Sequence, residues 1–193
     1  MTKGRTDTAV KIMDVAQELI QSCGYNAISF NHIAERVGIR KPSIIHHFPN
    51  KEALGQAVVR RYREVFAAVL EKVAEAPDKT AIDAFDLYCT PYLEFGGTPD
   101  KICLCGALAG EFMALPENVR AEVARFFREH IIWLEGILRR GVESGDFAFK
   151  GDPAIKAKLI LDALQGALIV KRATGDTDQV TQVVAALRDS ITG

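Results

Sequence analysis

Hydrophobic positions along this chain recur every three to four residues, and runs of β-branched residues bounded by turns are nearly absent, so the pattern predicts helices throughout. A first helix is predicted over about residues 8–23, with Val10, Met13, Ala16, Leu19 and Ile20 on one stripe and Gly24 as its stop. Ser29 can cap a short second helix running to Val37, which turns Ile33 and Val37 inward. Gly38 interrupts it. A third short helix follows over 41–47, with Pro42 in the first turn, where a missing N–H costs little. After the Phe48-Pro49-Asn50 turn, Asn50 can cap a long helix over 51–75 that Ala76-Pro77-Asp78 ends.

Further helices are predicted over about 79–94, 102–114 and 116–144, the first two separated by Gly96-Gly97-Thr98-Pro99. The 116–144 helix places Val119, Val123, Phe126, Phe127, His130, Leu134, Ile137, Leu138 and Gly141 on one face. Asp152-Pro153 reads as an N-cap followed by Pro at the first helical position, opening a helix to 173. A last helix, about 178–191, carries Val180, Val183, Val184, Leu187 and Ile191 in register. The fold class is therefore all-α, with about nine helices. It divides into a three-helix head, residues 1–50, and a larger helical body, residues 51–193, with no flexible linker between them.

Composition narrows the class. The 193 residues are 48% hydrophobic and 25% charged, which suits a globular core, and no apolar run approaches the ~18 residues of a membrane span. The first ten residues lack the apolar stretch of a secretory signal. Four cysteines, at 23, 89, 103 and 105, are too few and too irregular for a disulfide framework, which points to a cytoplasmic location. Charge is uneven: residues 1–64 hold 10 Lys and Arg against 6 Asp and Glu, a net +4, and the remainder holds 14 against 19, a net −5. A basic head on an acidic body is the balance expected when only the head meets a polyanion.

The head carries the main motif. Ala34, three residues, Gly38 and then Ile39 is a helix-turn-helix arrangement: a small residue for close helix approach, a glycine free to take φ > 0, and an apolar anchor. The helix after that turn offers Arg40, Lys41, Ser43, His46 and His47, the side chains such a helix presents to the major groove and the phosphates. The stretch 24–54, GYNAISFNHIAERVGIRKPSIIHHFPNKEAL, resembles the DNA-binding head of the TetR family of repressors. The shared features are Gly24-Tyr25, Ser29, Ile33-Ala34 with Gly38-Ile39, Ser43, His46-His47-Phe48 and Asn50 through Leu54.

That resemblance implies a double-stranded DNA operator, with Ser43, His47 and Lys51 on phosphates, Arg40 and Lys41 on bases or neighbouring phosphates, and Ser29 and His46 completing the surface. Two positions depart from the family pattern. Ile45 stands where Tyr is usual, and Arg40 stands where a Ser or Thr cap is frequent.

For the body the family implies a ligand cavity among the middle helices and pairing through the last two. Phe85, Tyr88, Tyr92, Cys103, Phe112, Met113, Phe127 and Trp133 fall in the segments that would enclose a small, mostly apolar effector. The 153–173 helix is apolar on more than one side and must be buried on two. With the last helix it would make a four-helix homodimer interface from Leu159, Ala163, Gly166, Ala167, Val180, Val184 and Leu187. The run Ile102-Cys103-Leu104-Cys105-Gly106-Ala107-Leu108-Ala109 resembles the NemR-like, cysteine-containing subgroup, whose reactive cysteine matches Cys103, although Ile102 and Ala107 replace a Gly and an Asn. It implies an alternative trigger, reaction of the Cys103 thiol with an electrophile or oxidant.

No nucleophile elbow, P-loop, dinucleotide fingerprint or H-E-x-x-H pattern is present, and C-x-C alone does not make a zinc site. Neither an enzyme nor a cofactor, metal or membrane partner is expected. The reading is a transcriptional repressor that binds a palindromic operator as a dimer and is released by a small effector. A helical interaction module that ignores DNA is the remaining alternative, and steep salt dependence of binding separates the two.

Overall fold

The computed structural model describes residues 3–74 and 79–193, and among them are nine α-helices and one short 3-10 turn. In chain order these are α1 (Lys3–Cys23), α2 (Phe30–Val37), α3 (Lys41–His47), α4 (Lys51–Ala74), α5 (Ala81–Gly96), α6 (Leu104–Gly110), the 3-10 turn Phe112–Ala114, α7 (Glu117–Ser144), α8 (Pro153–Thr174) and α9 (Gln179–Thr192). The turn expected at Ala76-Pro77-Asp78 lies outside the described residues.

Local chemistry sets most boundaries. Thr80 and Asp83 form a reciprocal capping box at the start of α5, and Asp152 caps α8 by accepting the Ala154 N–H at 2.9 Å. Gly175, at φ +77°, closes α8 in the left-handed conformation that glycine adopts without penalty. Two expectations need correction. α1 begins five residues earlier than its apolar stripe suggested, and its buried stripe is Ile12, Ala16 and Ile20, with Val10 exposed. The helix expected over 102–114 is shorter: Ile102 and Cys103 precede it, and Gly110 gives way to a tighter 3-10 turn. Two glycines among seven residues leave α6 little propensity to extend.

The chain forms two compact units; of the three junctions, 64/65 and 125/126 fall inside the long helices α4 and α7, and 103/104 falls at the start of α6. One unit holds residues up to Glu64 together with Leu104–Arg125. In it α1, α2 and α3 pack around Ile12, Ile20, Ile33 and Ile44, and α6 packs on α1. The buried carboxylate of Glu122, on α7, accepts from Arg60 Nε at 3.1 Å and Arg63 Nε at 3.4 Å, both on α4. Gly55 of α4 leaves room for Tyr25 and Val119, whose side-chain atoms lie 2.8 and 3.2 Å from where a Cβ would stand. These contacts explain why 104–125 groups with the N-terminal helices although they are far apart in sequence.

The other unit holds Val65–Cys103 and Phe126–Gly193. Here α5, α8 and α9 pack on one another, and α7 contributes the apolar face expected of it, with Phe126, His130, Leu134, Ile137 and Leu138 buried. Gly141 sits under Phe147, whose ring carbon lies 2.1 Å from the position a Cβ would take. Among the described residues no helix is long and apolar enough to cross a membrane.

Candidate nucleic-acid interface and ligand core

The helix-turn-helix is held from inside by few side chains. Ser29 Oγ accepts the His32 N–H at 3.3 Å and so caps α2, while Gly38 at φ +76° ends it, its N–H donating to the Ala34 carbonyl at 3.0 Å. The Ile39 N–H donates to the same carbonyl, also at 3.0 Å. Ala34 is buried, as the close helix contact requires. On α3 only Ile44 is buried, so every other face of that helix is open.

Arg40, Lys41, Ser43 and His46 are exposed and His47 is partly so. Arg40 occupies the N-cap position, where its guanidinium, a donor only, makes no side-chain cap bond. Thr8, Ile39, Pro42, Ser43, His46 and His47 line a concavity of about 460 Å³ beside α3. Ile45, the position of the missing tyrosine, is 44% exposed and adds an apolar contact surface instead of a hydroxyl.

Lys51 opens α4, next to Asn50, whose Oδ1 accepts the Ala53 N–H at 2.8 Å. Its ammonium lies over the Tyr25 ring, 4.5 Å from the centroid. Partial burial pulls the Lys51 pKa down, and the Glu111 carboxylate acts against that shift. Burial, with Glu52 nearby, pushes the Tyr25 phenol up to about 12, so Tyr25 stays neutral as a packing partner. Of the residues assigned to DNA, Lys41, Ser43, His46 and His47 lie on α3 and Arg40 at its N-cap, Lys51 stands at the start of α4, and the Ser29 hydroxyl oxygen accepts the bond that caps α2.

The larger unit contains an aromatic core with internal polar partners. Tyr88 stacks on Trp133 (centroids 5.4 Å apart, planes at 18°), and its hydroxyl lies 2.9 Å from His130 Nδ1. The Tyr92 hydroxyl accepts from Gln165 Nε2 at 3.2 Å, and Trp133 Nε1 donates to the Leu70 carbonyl at 3.2 Å. Phe126 lies 3.9 Å from the His130 ring, centroid to centroid, and Phe127 meets Phe126 edge-on. Burial lowers the His130 pKa to about 4, raises the Cys89 thiol to about 12, and drives Tyr88 well above the usual phenol range.

Tyr88, Tyr92, Trp133 and Phe127 thus belong to one region, with Phe85 and Cys103 buried in the same unit. Phe112 and Met113 do not join them. They belong to the first unit, and Met113 is 84% exposed, because the 3-10 turn points it outward rather than continuing an apolar helix face.

Sequence reasoning missed His130, Gln165 and Lys171 as parts of this core. His130 was legible as a member of the α7 apolar face, but its partner is 42 residues away. Lys171 is 1% exposed, and its ammonium donates to the backbone carbonyls of Thr98, of Pro99 at 3.3 Å and of Lys101 at 3.4 Å. Burial, helped by Arg172, lowers its pKa, while Asp100 opposes the shift.

On α8, Ile155, Leu159, Ile169 and Val170 are exposed, and Ala163 and Gly166 are half-buried beside them. Ala167 and Val180, assigned to the same interface, are already buried within the chain. Val180 packs on Gly96, its Cβ 3.1 Å from where a Cβ on that glycine would stand. Val184 and Leu187 on α9 are partly exposed.

A basic, open recognition helix after a glycine turn defines a helix-turn-helix DNA-binding protein. Comparison with known proteins makes the class specific. Residues 12–58 match the family of bacterial regulatory proteins of the tetR type, and residues 89–187 match the tetracyclin repressor-like C-terminal domain. The chain belongs to the TetR family of transcriptional regulators.

A TetR-family regulator from Agrobacterium tumefaciens superposes at a TM-score of 0.91 with 30% identity, covering 98% of this chain and all of that one. One from Legionella pneumophila superposes at 0.84 with 31% identity, covering 94% and 95%. The repressor KstR2 of Rhodococcus jostii is 27% identical over 83% of this chain and 78% of its own length. The repressor NemR of Escherichia coli is 21% identical over 96% and 94%, and its reduced form shares the fold at a TM-score of 0.81. These relatives support a ligand-responsive transcriptional repressor.

Proposed function

We propose that this chain represses transcription in the cytoplasm as a homodimer. Its two α3 helices sit in successive major grooves of a palindromic operator, and a small effector in the larger unit releases it. The observation that carries the dimer is the strip Ile155, Leu159, Ala163, Gly166 and Val170 on α8. Its spacing is that of one helix face, it is apolar, and small residues at its centre let a second α8 approach closely. Leu159 is 56% exposed there, a large apolar side chain that pairing would cover.

On DNA, Arg40, Lys41, Ser43, His46 and His47 meet base edges and phosphates, Lys51 adds a phosphate contact, and Ser29 acts by holding α2. The two half-sites lie about 34–36 Å apart or a multiple of it, the repeat that a two-fold dimer imposes. By task, residues 1–50 read DNA and 51–193 sense and pair. The effector is a small, mostly apolar molecule bound in the larger unit, where Phe85, Tyr88, Tyr92 and Trp133 supply aromatic surface and His130 and Gln165 supply polar atoms. It acts by binding the DNA-incompetent arrangement better than the competent one. The test is Leu159→Glu, which is expected to give a folded monomer with little operator affinity. A dimer of unchanged affinity would contradict the proposal.

Chemical release through Cys103 is a second reading, favoured by its place: the residue after it starts α6, and α6 packs on α1 of the head. The Cys103 thiol would add across the activated C=C of an electrophile such as a maleimide, the π bond breaking as sulfur bonds one carbon and the thiol proton passes by way of solvent to the other. The added bulk in a site now 3% exposed would displace the start of α6. Cys103→Ser should abolish release by N-ethylmaleimide and leave operator binding intact.

A further inference from the structure

The turn between α1 and α2, residues 24–29, sets the angle at which the helix-turn-helix leaves α1, and one carboxylate from a distant segment holds it. Glu111 follows α6 directly. Its Oε2 accepts both the backbone N–H of Asn26 at 2.9 Å and the Asn26 side-chain amide at 2.6 Å. The fit requires Gly24: a Cβ there would stand 1.9 Å from Glu111 Oε1, and the backbone at φ +88° disfavours any other residue. Between these two contacts lies Tyr25, buried, with the Lys51 ammonium over its ring. One carboxylate is therefore bonded to the turn at Asn26 and packed against Gly24, on the two sides of the aromatic residue over which Lys51 sits.

We infer that Glu111 is a positioning residue for operator recognition, fixing the 24–26 turn and through it the setting of the recognition helix and of Lys51. Glu111 touches no base and, being an anion on a DNA-binding unit, adds nothing to general attraction for DNA. Its effect must therefore appear in discrimination. Specific binding needs the head held at one angle, whereas non-specific binding needs only its cations. The electrostatics agree in direction, since the Glu111 carboxylate favours the charged form of Lys51.

The inference rests on the head reading DNA as proposed above, and the experiment separates the two. A duplex is selected from a randomised library by the full-length wild-type protein. Affinities of wild type, Glu111→Ala and Glu111→Gln are then measured on that duplex and on a scrambled one. Glu111→Ala is expected to lose about tenfold on the selected duplex, the scale of losing charged hydrogen bonds, and to change less than about twofold on the scrambled one. Glu111→Gln keeps a carbonyl acceptor for the Asn26 N–H and should recover most of the loss.

Should Glu111→Ala fold poorly, Asn26→Asp, which sets two carboxylates face to face, should show the same selective loss. Adding Glu111→Gln to it, which restores a donor–acceptor pair, should reverse that loss. Equal losses on both duplexes, no loss on either, or no rescue by Gln would overturn the inference while leaving DNA reading intact. A wild type that selects no sequence would overturn both.

Discussion

On α3 a single side chain, Ile44, faces inward, and Arg40, Lys41, Ser43 and His46 stand in solvent. In the larger unit the arrangement is reversed: Tyr88, Tyr92, His130 and Lys171 are buried, and each has a polar partner within the protein. Polar groups left in water keep their hydration until a phosphate or base edge displaces it, so they serve recognition and contribute little to stability. Buried polar groups are satisfied at the expense of their hydration, so removing one partner strands the other. The head should therefore tolerate loss of its charges and lose function, whereas the larger unit should lose stability first.

The largest effect expected is in the head. Replacing Arg40, Lys41 and Lys51 together by Ala should weaken DNA binding by on the order of a hundredfold at moderate salt and flatten the slope of log affinity against log salt by up to about three. The thermal midpoint should fall by no more than a few degrees, the scale of losing the Lys51 contact with Tyr25. A drop of many degrees would mean that these side chains hold the fold, and the contrast between the regions would fail.

Next in size is the acid response of the larger unit. The unfolded His130 imidazole takes up its proton near the ordinary 6.5, and the folded one does so only near about 4. Between those values the unfolded state binds more protons. Stability is therefore whole above about pH 6.5 and falls as pH drops towards 4, by up to about 3 kcal/mol from this group. Urea unfolding at pH 7, 5.5 and 4.5 should show that fall, and His130→Phe should remove this group's contribution to it. An unchanged slope would place the imidazole in contact with water.

Lys171→Met keeps much of the stem but withdraws the ammonium from the carbonyls of Thr98, Pro99 and Lys101. Stranding those acceptors should cost about 2 kcal/mol in equilibrium unfolding. The smallest effect is Ser29→Ala, which removes the α2 cap and should cost about 1 kcal/mol, seen as a shift in the denaturation midpoint at constant m-value.

The same contrast explains what could be read in advance. The head was legible because its determinants are local: Ser29 caps the helix it precedes, Gly38 turns the chain four residues after Ala34, and Asn50 caps the next helix. The Asp152-Pro153 start of α8 and its double-sided apolarity were legible for the same reason. The pairings within the aromatic core and at the turn between α1 and α2 join Tyr88 to His130, Tyr92 to Gln165 and Asn26 to Glu111, at separations of 42, 73 and 85 residues. No spacing rule reaches that far. Met113 shares its residue type with the aromatic core, but the 3-10 turn after α6 sets its place, and an apolar run over 102–114 does not show where the helix gives way to that turn.

Whether two copies of this head read one duplex is tested by a fluorescence anisotropy titration of a labelled operator duplex across a range of salt. Saturation is expected at two protomers per duplex, with an affinity that falls linearly on logarithmic axes as salt rises, both lost together in Leu159→Glu. Binding that ignores salt, or that saturates at one protomer and is untouched by Leu159→Glu, would contradict a dimer reading one duplex.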